Sequence, residues 1–119
     1  MDQERRRGAR LPAYLPVELH RRGTRWHVIQ TLTKDVSAGG IRCLSPVPLP
    51  ATEELDVELS LAKGDTPIAT KAKAVWSRAL QQSEQFDLGL AFQEMSPETL
   101  RRLSSYLDVR STHPAHIPA

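Results

Sequence analysis

Residues 55–61 alternate apolar and polar side chains at all seven positions, in the order Leu-Asp-Val-Glu-Leu-Ser-Leu. A period of two sends successive side chains to opposite faces, which is typical of a β-strand with one buried face. Other alternating or β-branched runs, separated by turn signals such as Gly64-Asp65, occupy residues 17–20, 26–34, 40–44, 68–76 and 86–92. Six short strands predict a closed or nearly closed antiparallel β-barrel, because an open sheet of this size would expose long edges.

The period changes near the C-terminal end of the chain. Ser96 is suited to cap a helix, and Pro97 and Glu98 are suited to its first turn. Apolar residues then recur at spacings of three and four, at Leu100, Leu103, Tyr106 and Leu107. This pattern predicts one amphipathic helix that ends the fold and lies over one open end of the barrel.

Both termini differ from the central part of the chain. Residues 1–13 are basic and show neither a helical nor a strand period, so they are predicted to form a flexible arginine-rich arm. Residues 1–25 carry seven arginines against three acidic residues, whereas the whole chain has a net charge of only +2, so we expect this end to attract anions. Residues 14–109 are predicted to form the barrel and helix, and residues 110–119 a mobile tail.

Composition limits the classes of function. A chain of 119 residues predicts one domain with a modest core. Cys43 is the only cysteine, which excludes an intramolecular disulfide and a cysteine-clustered zinc site and predicts a small buried hydrophobe. No apolar run approaches membrane-spanning length and no charged-then-apolar leader opens the sequence, so we expect no membrane span and a cytoplasmic location.

Two motifs carry the chemistry of a guanine-nucleotide site. Arg6 and Arg10 form an RxxxR pair, and Asp35, Ser37 and Gly40 form a DxSxxG sequence about one hairpin downstream. The guanidinium fork of arginine matches phosphate oxygens and the O6/N7 edge of guanine, whereas a carboxylate accepts from the N–H donors on guanine's other edge. Missing side chains at glycine let a ligand approach the backbone closely.

With these motifs in this order, the chain resembles the PilZ domain, the bacterial receptor module for cyclic di-GMP (c-di-GMP). Further landmarks of the resemblance are Val75-Trp76, the Gly-Leu-Ala-Phe sequence of residues 89–92, and the closing helix. The resemblance covers residues 5–107. It implies a six-stranded antiparallel PilZ-type β-barrel with a C-terminal helix, and a c-di-GMP site formed by Arg5, Arg6, Arg10, Asp35, Ser37 and Gly40.

The resemblance also implies how the receptor works. The arm is expected to become ordered around the ligand and to relay the signal to a protein partner in motility, exopolysaccharide synthesis or transcription. In the family, an arginine just before RxxxR favours a pair of intercalated ligands, and Arg5 stands at that position. We therefore expect two c-di-GMP molecules per chain. We expect no catalysis and no metal cofactor, because the sequence has no GxxxxGK loop, no HExxH pattern and no histidine near Ser37 in the sequence.

Each of these residues also has a simpler interpretation. The arginines could be a solvated charge run, and Asp35 and Ser37 could form an Asx or Ser turn. An adaptor that binds only protein is a further alternative, although both motifs are intact. A nucleic-acid-binding barrel is disfavoured, because the few aromatic residues are mostly assignable to the core.

Aromatic and histidine residues outside the motifs give weaker signals. Trp26 and Trp76 lie on predicted strands, and we interpret both as core residues. Residues 26–34 form a β-branched run in which the alternation passes through Trp26, Val28 and, after a slip, Leu32. His113 and His116 lie in the predicted tail with no third ligand nearby, so they do not predict a metal site.

Overall fold

The computed structural model describes residues 10–22 and 28–112. These residues form seven β-strands and one α-helix. The elements are β1 (Leu11–Pro12), β2 (Pro16–Arg21), β3 (Val28–Ser37), β4 (Gly40–Ser45), β5 (Glu54–Leu59), β6 (Ile68–Ala79), β7 (Phe86–Gln93) and α1 (Pro97–Thr112). The six strands predicted from the sequence correspond to β2 through β7, while β1 is a two-residue addition within the predicted arm.

The six longer strands form a closed antiparallel barrel in the order β3-β2-β5-β6-β7-β4, with β3 also paired to β4. Closure depends on the ten residues of β3. Its first half pairs with β2, its second half pairs with β4, and the register shifts between Thr33 and Asp35. Such an irregularity bends a strand and increases its twist, so that one strand can serve two neighbours. The predicted closed barrel of six antiparallel strands is confirmed.

Apolar side chains at alternate positions of the strands fill the interior of the barrel. In β5 every second residue is buried, as the sequence pattern predicts, at Leu55, Val57 and Leu59. Burying each such side chain contributes about 1.5–3 kcal/mol relative to leaving it exposed. The remaining large side chains that are fully buried are Leu19, Val36, Ile41, Ile68, Leu88, Leu90 and Leu103.

The alternation of Val28 and Leu32 does not mark the buried side of β3. Val28 and Leu32 point outward, with Leu32 49% exposed, whereas Ile29 and Thr33 are buried. Thr33 can occupy the core because its hydroxyl is fully used: it donates to the carbonyl of Ala13 and accepts from the backbone N–H of Leu15 at 2.9 Å. A hydroxyl with both partners avoids the cost of burying an unpaired polar group.

The helix begins as predicted and ends later. The Ser96 side-chain oxygen accepts the backbone N–H of Thr99 at 3.1 Å, and Leu103 is fully buried. Helix α1 packs on β6 and β1 and continues to Thr112, three residues beyond the predicted boundary. Arg110, which the sequence places in the tail, lies in the last turn and donates to the Pro12 carbonyl at 3.0 Å. His113 and His116 lie outside the described residues.

Candidate functional site

Residues of the DxSxxG motif lie on the hairpin that joins β3 to β4. Ser37 pairs with Gly40 across the turn, and the register then places Val36 opposite Ile41 and Asp35 opposite Arg42. Val36 and Ile41 are fully buried. Because side chains alternate along a strand, Asp35 and Arg42 lie together on the outer face of the barrel.

Asp35 is held by two arginines from different elements. Arg10 Nη1 donates to Asp35 Oδ1 at 3.0 Å, and Arg42 Nε donates to Asp35 Oδ2 at 2.9 Å. The Asp35 side chain is only 13% exposed, so both bonds form where water screens them incompletely. Charge-assisted bonds of this kind are the stronger ones in proteins. The structure thus brings together Arg10 and Asp35, two of the predicted site residues.

A second carboxylate, Asp87 on β7, lies behind this pair. Lys34 Nζ donates to Asp87 Oδ1 at 2.9 Å, while Arg42 Nη1 and Arg78 Nη2 lie 3.7 Å and 3.9 Å from Asp87 Oδ2. The Asp87 side chain is 3% exposed. We call the set Arg10, Lys34, Asp35, Arg42, Arg78 and Asp87 the Asp35 face. On it, four cations surround two carboxylates, which leaves an excess of positive charge next to an open surface.

Ser37 and Gly40 have structural roles in this hairpin. The Ser37 hydroxyl accepts the backbone N–H of Gly39 at 3.2 Å and donates to the Gly40 carbonyl at 3.3 Å. A Cβ atom at Gly40 would overlap the carbonyl oxygen of Leu90 on β7. The turn interpretation of Ser37 therefore describes this hairpin, and the role of both residues in ligand binding stays a prediction.

A cavity of about 330 Å³ opens on the Asp35 face. It is lined by Arg10, Pro12, Tyr14, Lys34, Asp35 and Arg42. Donors from three cations and one carboxylate acceptor meet there, a combination suited to a ligand with phosphates and N–H donors. Arg5 and Arg6, the other predicted site residues, lie outside the described residues.

Sequence reasoning missed Arg42 and Asp87. A signal for Arg42 was present, because a two-residue turn at Ala38-Gly39 pairs residue 37 with 40 and therefore residue 35 with 42. Asp87 gave a weaker signal, as a charged residue two positions before Gly89 on an otherwise apolar strand. Its position beside Asp35 depends on the pairing of β4 with β7, which local sequence does not show.

Trp76 was predicted to be a core residue, and this is wrong. The register of β6 shifts between Ala74 and Trp76, and Trp76 lies on the surface with 37% of its area exposed. Its indole covers Gly89, where a Cβ atom would overlap the ring, and the Arg78 guanidinium stacks 5.2 Å from the ring centre. Trp26 lies outside the described residues.

Cys43 is buried, as predicted, on the inner side of β4. Burial, with a smaller contribution from the charge of Asp87, raises the pKa of its thiol to about 12. A thiol in this state is a poor nucleophile, because the thiolate is the reactive form. Cys43 therefore behaves as a packing residue.

A second concavity, of about 1060 Å³, lies on another part of the barrel. We call the residues Glu18, His20, Asp56 and Glu58, on the outer side of β2 and β5, the Glu58 face. Glu18 lies directly opposite Glu58, and His20 opposite Asp56. The larger concavity is lined by three cations, Arg21, Arg22 and Lys71, and by two carboxylates, Asp56 and Glu58. The smaller one has three cations and a single carboxylate, so its lining has the larger excess of positive charge.

A family model described as the PilZ domain matches residues 4–108. The chain belongs to the PilZ domain family. This assignment agrees with the barrel order and with the position of the DxSxxG motif on the β3–β4 hairpin. A comparison with curated proteins gave no match.

Solved structures with the same fold include larger proteins. The Bacillus subtilis inhibitor of motility MotI/DgrA matches with a TM-score of 0.75 and 23% identity, over 88% of this chain and 50% of that chain. Escherichia coli YcgR in complex with c-di-GMP matches with a TM-score of 0.73 and 17% identity, over 91% of this chain and 46% of that chain. Borreliella burgdorferi PlzA in complex with c-di-GMP matches with a TM-score of 0.60 and 14% identity, over 98% and 57%. This PilZ domain thus spans about half the length of these proteins.

Within residues 10–22 and 28–112, no helix has both the length and the apolar character needed to cross a lipid bilayer.

Proposed function

We propose that this PilZ domain is a non-enzymatic receptor for c-di-GMP and that the ligand binds on the Asp35 face. Membership of the family and the c-di-GMP complexes of YcgR and PlzA support the receptor role. The observation that carries the proposal for this chain is the Asp35 carboxylate, which is held by Arg10 and Arg42 at the edge of an open cationic cavity.

The chemistry of the cavity suits the two parts of the ligand. Asp35 can accept the N1–H and N2–H donors of guanine, and Arg10 can move to a phosphate oxygen or to the O6/N7 edge. Arg6 is expected to supply a second guanidinium, and Ser37 and Gly40 hold the turn that positions Asp35. The charge-assisted bonds gained by the ligand offset the loss of chain entropy as the arm becomes ordered.

The arm is also the proposed route of the signal. Arg10 directly precedes β1, and the Pro12 carbonyl accepts from Arg110 in the last turn of α1. A ligand that draws Arg10 away from Asp35 therefore acts on a segment tied to the helix, where a protein partner could detect the change. MotI is described as an inhibitor of motility, which makes motility machinery one candidate for that partner.

Calorimetric titration of the full chain with c-di-GMP tests the proposal, with GTP and a linear guanine dinucleotide as controls. Removing a charged partner of a desolvated bond costs about 2–5 kcal/mol, so Arg10→Ala and Asp35→Ala should each weaken binding at least about thirtyfold. Arg21→Gln is a matched control, because Arg21 pairs with Glu53 through a 2.8 Å bond at the end of β2. Equal affinity of the native chain and folded Asp35→Ala would contradict the proposal.

The same titration measures the number of ligands. With Arg5 available to neutralise the phosphates of a second molecule, we expect the end point near two equivalents for the native chain and near one for Arg5→Ala. An end point of one equivalent for the native chain would contradict the binding of a ligand pair but would not contradict the receptor assignment.

A further inference from the structure

Each oxygen of the Asp35 carboxylate accepts a hydrogen bond from an arginine. Oδ1 accepts from Arg10 and Oδ2 accepts from Arg42. Guanine presents two adjacent N–H donors on one edge, and a carboxylate that receives both must use both of its oxygens. Each oxygen can accept more than one hydrogen bond, but the donors of a guanine bound to Asp35 compete with Arg42, as well as with Arg10, for the same two oxygens.

Arg42 already has a second carboxylate within reach. Its Nη1 atom lies 3.7 Å from Oδ2 of Asp87, while its Nε bonds to Asp35. Arg42 pairs across the sheet with Gly89, two residues after Asp87 on the same face of β7. Gly89 itself contributes no side chain, and the indole of Trp76 covers it, so the guanidinium of Arg42 lies between Asp35 and Asp87 with Trp76 beside it.

Asp87 is suited to receive this guanidinium. It is almost fully buried, and its one short bond is the 2.9 Å bond from Lys34 to Oδ1. Among the described residues, the cations nearest to Oδ2 are Arg42 and Arg78, at the longer distances of 3.7 Å and 3.9 Å. A charged acceptor in a weakly screened position gains from a closer donor, so movement of Arg42 toward Asp87 compensates for the bond lost at Asp35.

We infer that Arg42 is a specificity-determining residue that exchanges between Asp35 in the free protein and Asp87 in the ligand-bound protein. The inference rests on the proposed function and extends it. Arg42 competes with the ligand for Asp35: a ligand that offers N–H donors replaces the bond lost from Arg42, whereas an anion without N–H or O–H groups, such as sulfate, offers no donor to Asp35. The arginine thereby lowers affinity and favours guanine over an anion that has no donors.

Calorimetry on the full chain with c-di-GMP tests the exchange. Arg42→Gln frees Asp35 and should bind about fivefold more tightly, which corresponds to the net value of one hydrogen bond between protein groups. Asp87→Asn removes the alternative acceptor and should bind about fivefold more weakly. In an Arg42→Gln background the Asp87→Asn change should lose the part of its effect that acts through Arg42, so the effects of the two changes should not be additive.

Arg21→Gln is again the matched control, since it removes one paired guanidinium from another part of the barrel. Weaker binding of Arg42→Gln would show that Arg42 holds the ligand directly and would overturn the exchange. Additive effects of Arg42→Gln and Asp87→Asn would also overturn it. Thermal unfolding of each variant identifies any effect that arises from loss of folding.

A measurement made without ligand tests this inference independently of the proposed function. The side-chain Nε–H of Arg42 gives its own NMR signal, and its hydrogen exchange reports how long the bond to Asp35 persists. Asp35→Asn should speed this exchange, and Asp87→Asn should slow it several-fold, because the guanidinium loses its second acceptor. Equal exchange in the native chain and both variants would overturn the inference, even if the native chain binds c-di-GMP. Failure of the native chain to bind would instead overturn the proposed function.

Discussion

The Asp35 face and the Glu58 face carry similar residue types in different arrangements. On the Asp35 face two carboxylates, 13% and 3% exposed, share four cations. On the Glu58 face the carboxylates are more exposed, and Glu18 and Glu58 stand directly opposite each other. Three cations line each concavity, but the larger one also carries two carboxylates, and its Arg21 and Arg22 pair with acidic groups, whereas the smaller one carries only the Asp35 carboxylate. Charge and burial, rather than the size of the opening, therefore indicate where an anionic ligand binds.

The largest expected difference between the two faces is in ligand affinity. Asp35→Ala should weaken c-di-GMP binding at least about thirtyfold, whereas Glu58→Ala should change it less than about twofold. Titration calorimetry on both variants, each first shown to fold, makes the comparison. A larger loss in Glu58→Ala would reverse the assignment of the two faces.

The next largest expected effect is the loss of stability when a side chain is added at Gly40, in the hairpin under the Asp35 face. Gly40→Ala should lower the free energy of unfolding by about 1–3 kcal/mol, because its Cβ atom would overlap the Leu90 carbonyl and force strands β4 and β7 apart. Gly39→Ala is the matched control, since the nearest atom to its Cβ is Ser37 Oγ at 3.9 Å. Urea unfolding measures both, and equal stability of the two variants would show that the hairpin tolerates a side chain at Gly40.

A smaller effect concerns pH. The pKa of the Cys43 thiol is raised from 9.0 to about 12, chiefly by burial. The unfolded chain then loses the thiol proton at lower pH than the folded chain, so stability falls as pH rises between 9 and 12. At pH 10 the loss should be about 1 kcal/mol. Urea unfolding of the native chain and of Cys43→Ala at pH 8 and pH 10 measures the effect. The variant has no thiol, so it should lack the loss of stability that arises from Cys43. The same pH dependence in both would contradict the burial of the thiol.

The smallest expected effect is on the Glu58 face. Like charges directly opposite on paired strands are destabilising, so Glu58→Gln should raise the free energy of unfolding by roughly 0.2–1 kcal/mol at low salt. The gain should shrink at high salt, where exposed charges are screened. Thermal unfolding at two salt concentrations measures it. A loss of stability would mean that Glu58 has a favourable partner that outweighs the repulsion from Glu18.

The strands and the fold followed from the sequence where local pattern decides the structure. Residues 55–61 show this, because their strict alternation matches the buried and exposed positions of β5. Which side chains of β3 point into the core could not be predicted from the local pattern. Thr33 is buried and Leu32 exposed because the register shifts after Thr33 and because the partners of its hydroxyl, Ala13 and Leu15, lie about twenty residues away.

The candidate site was predictable to a similar extent. Arg10 and Asp35 were identified from their motifs, and the structure places them in direct contact. Asp87 was not identified, because its contact with Lys34 crosses 53 positions of the sequence and depends on how β7 pairs with β4. Trp76 was misassigned because a register shift in β6 turns it to the surface. Contacts that depend on strand pairing and on β-bulges could not be predicted, because the local sequence pattern does not determine which strands pair or where a bulge lies.

Amide NMR mapping of c-di-GMP binding tests the central claim most directly, since it observes both faces in one titration. The account predicts the largest shifts at residues 34–42 and 87–89, with the signals of residues 18–20 and 56–58 nearly unchanged. Largest shifts at residues 18–20 and 56–58, or no shifts at saturating ligand, would contradict it.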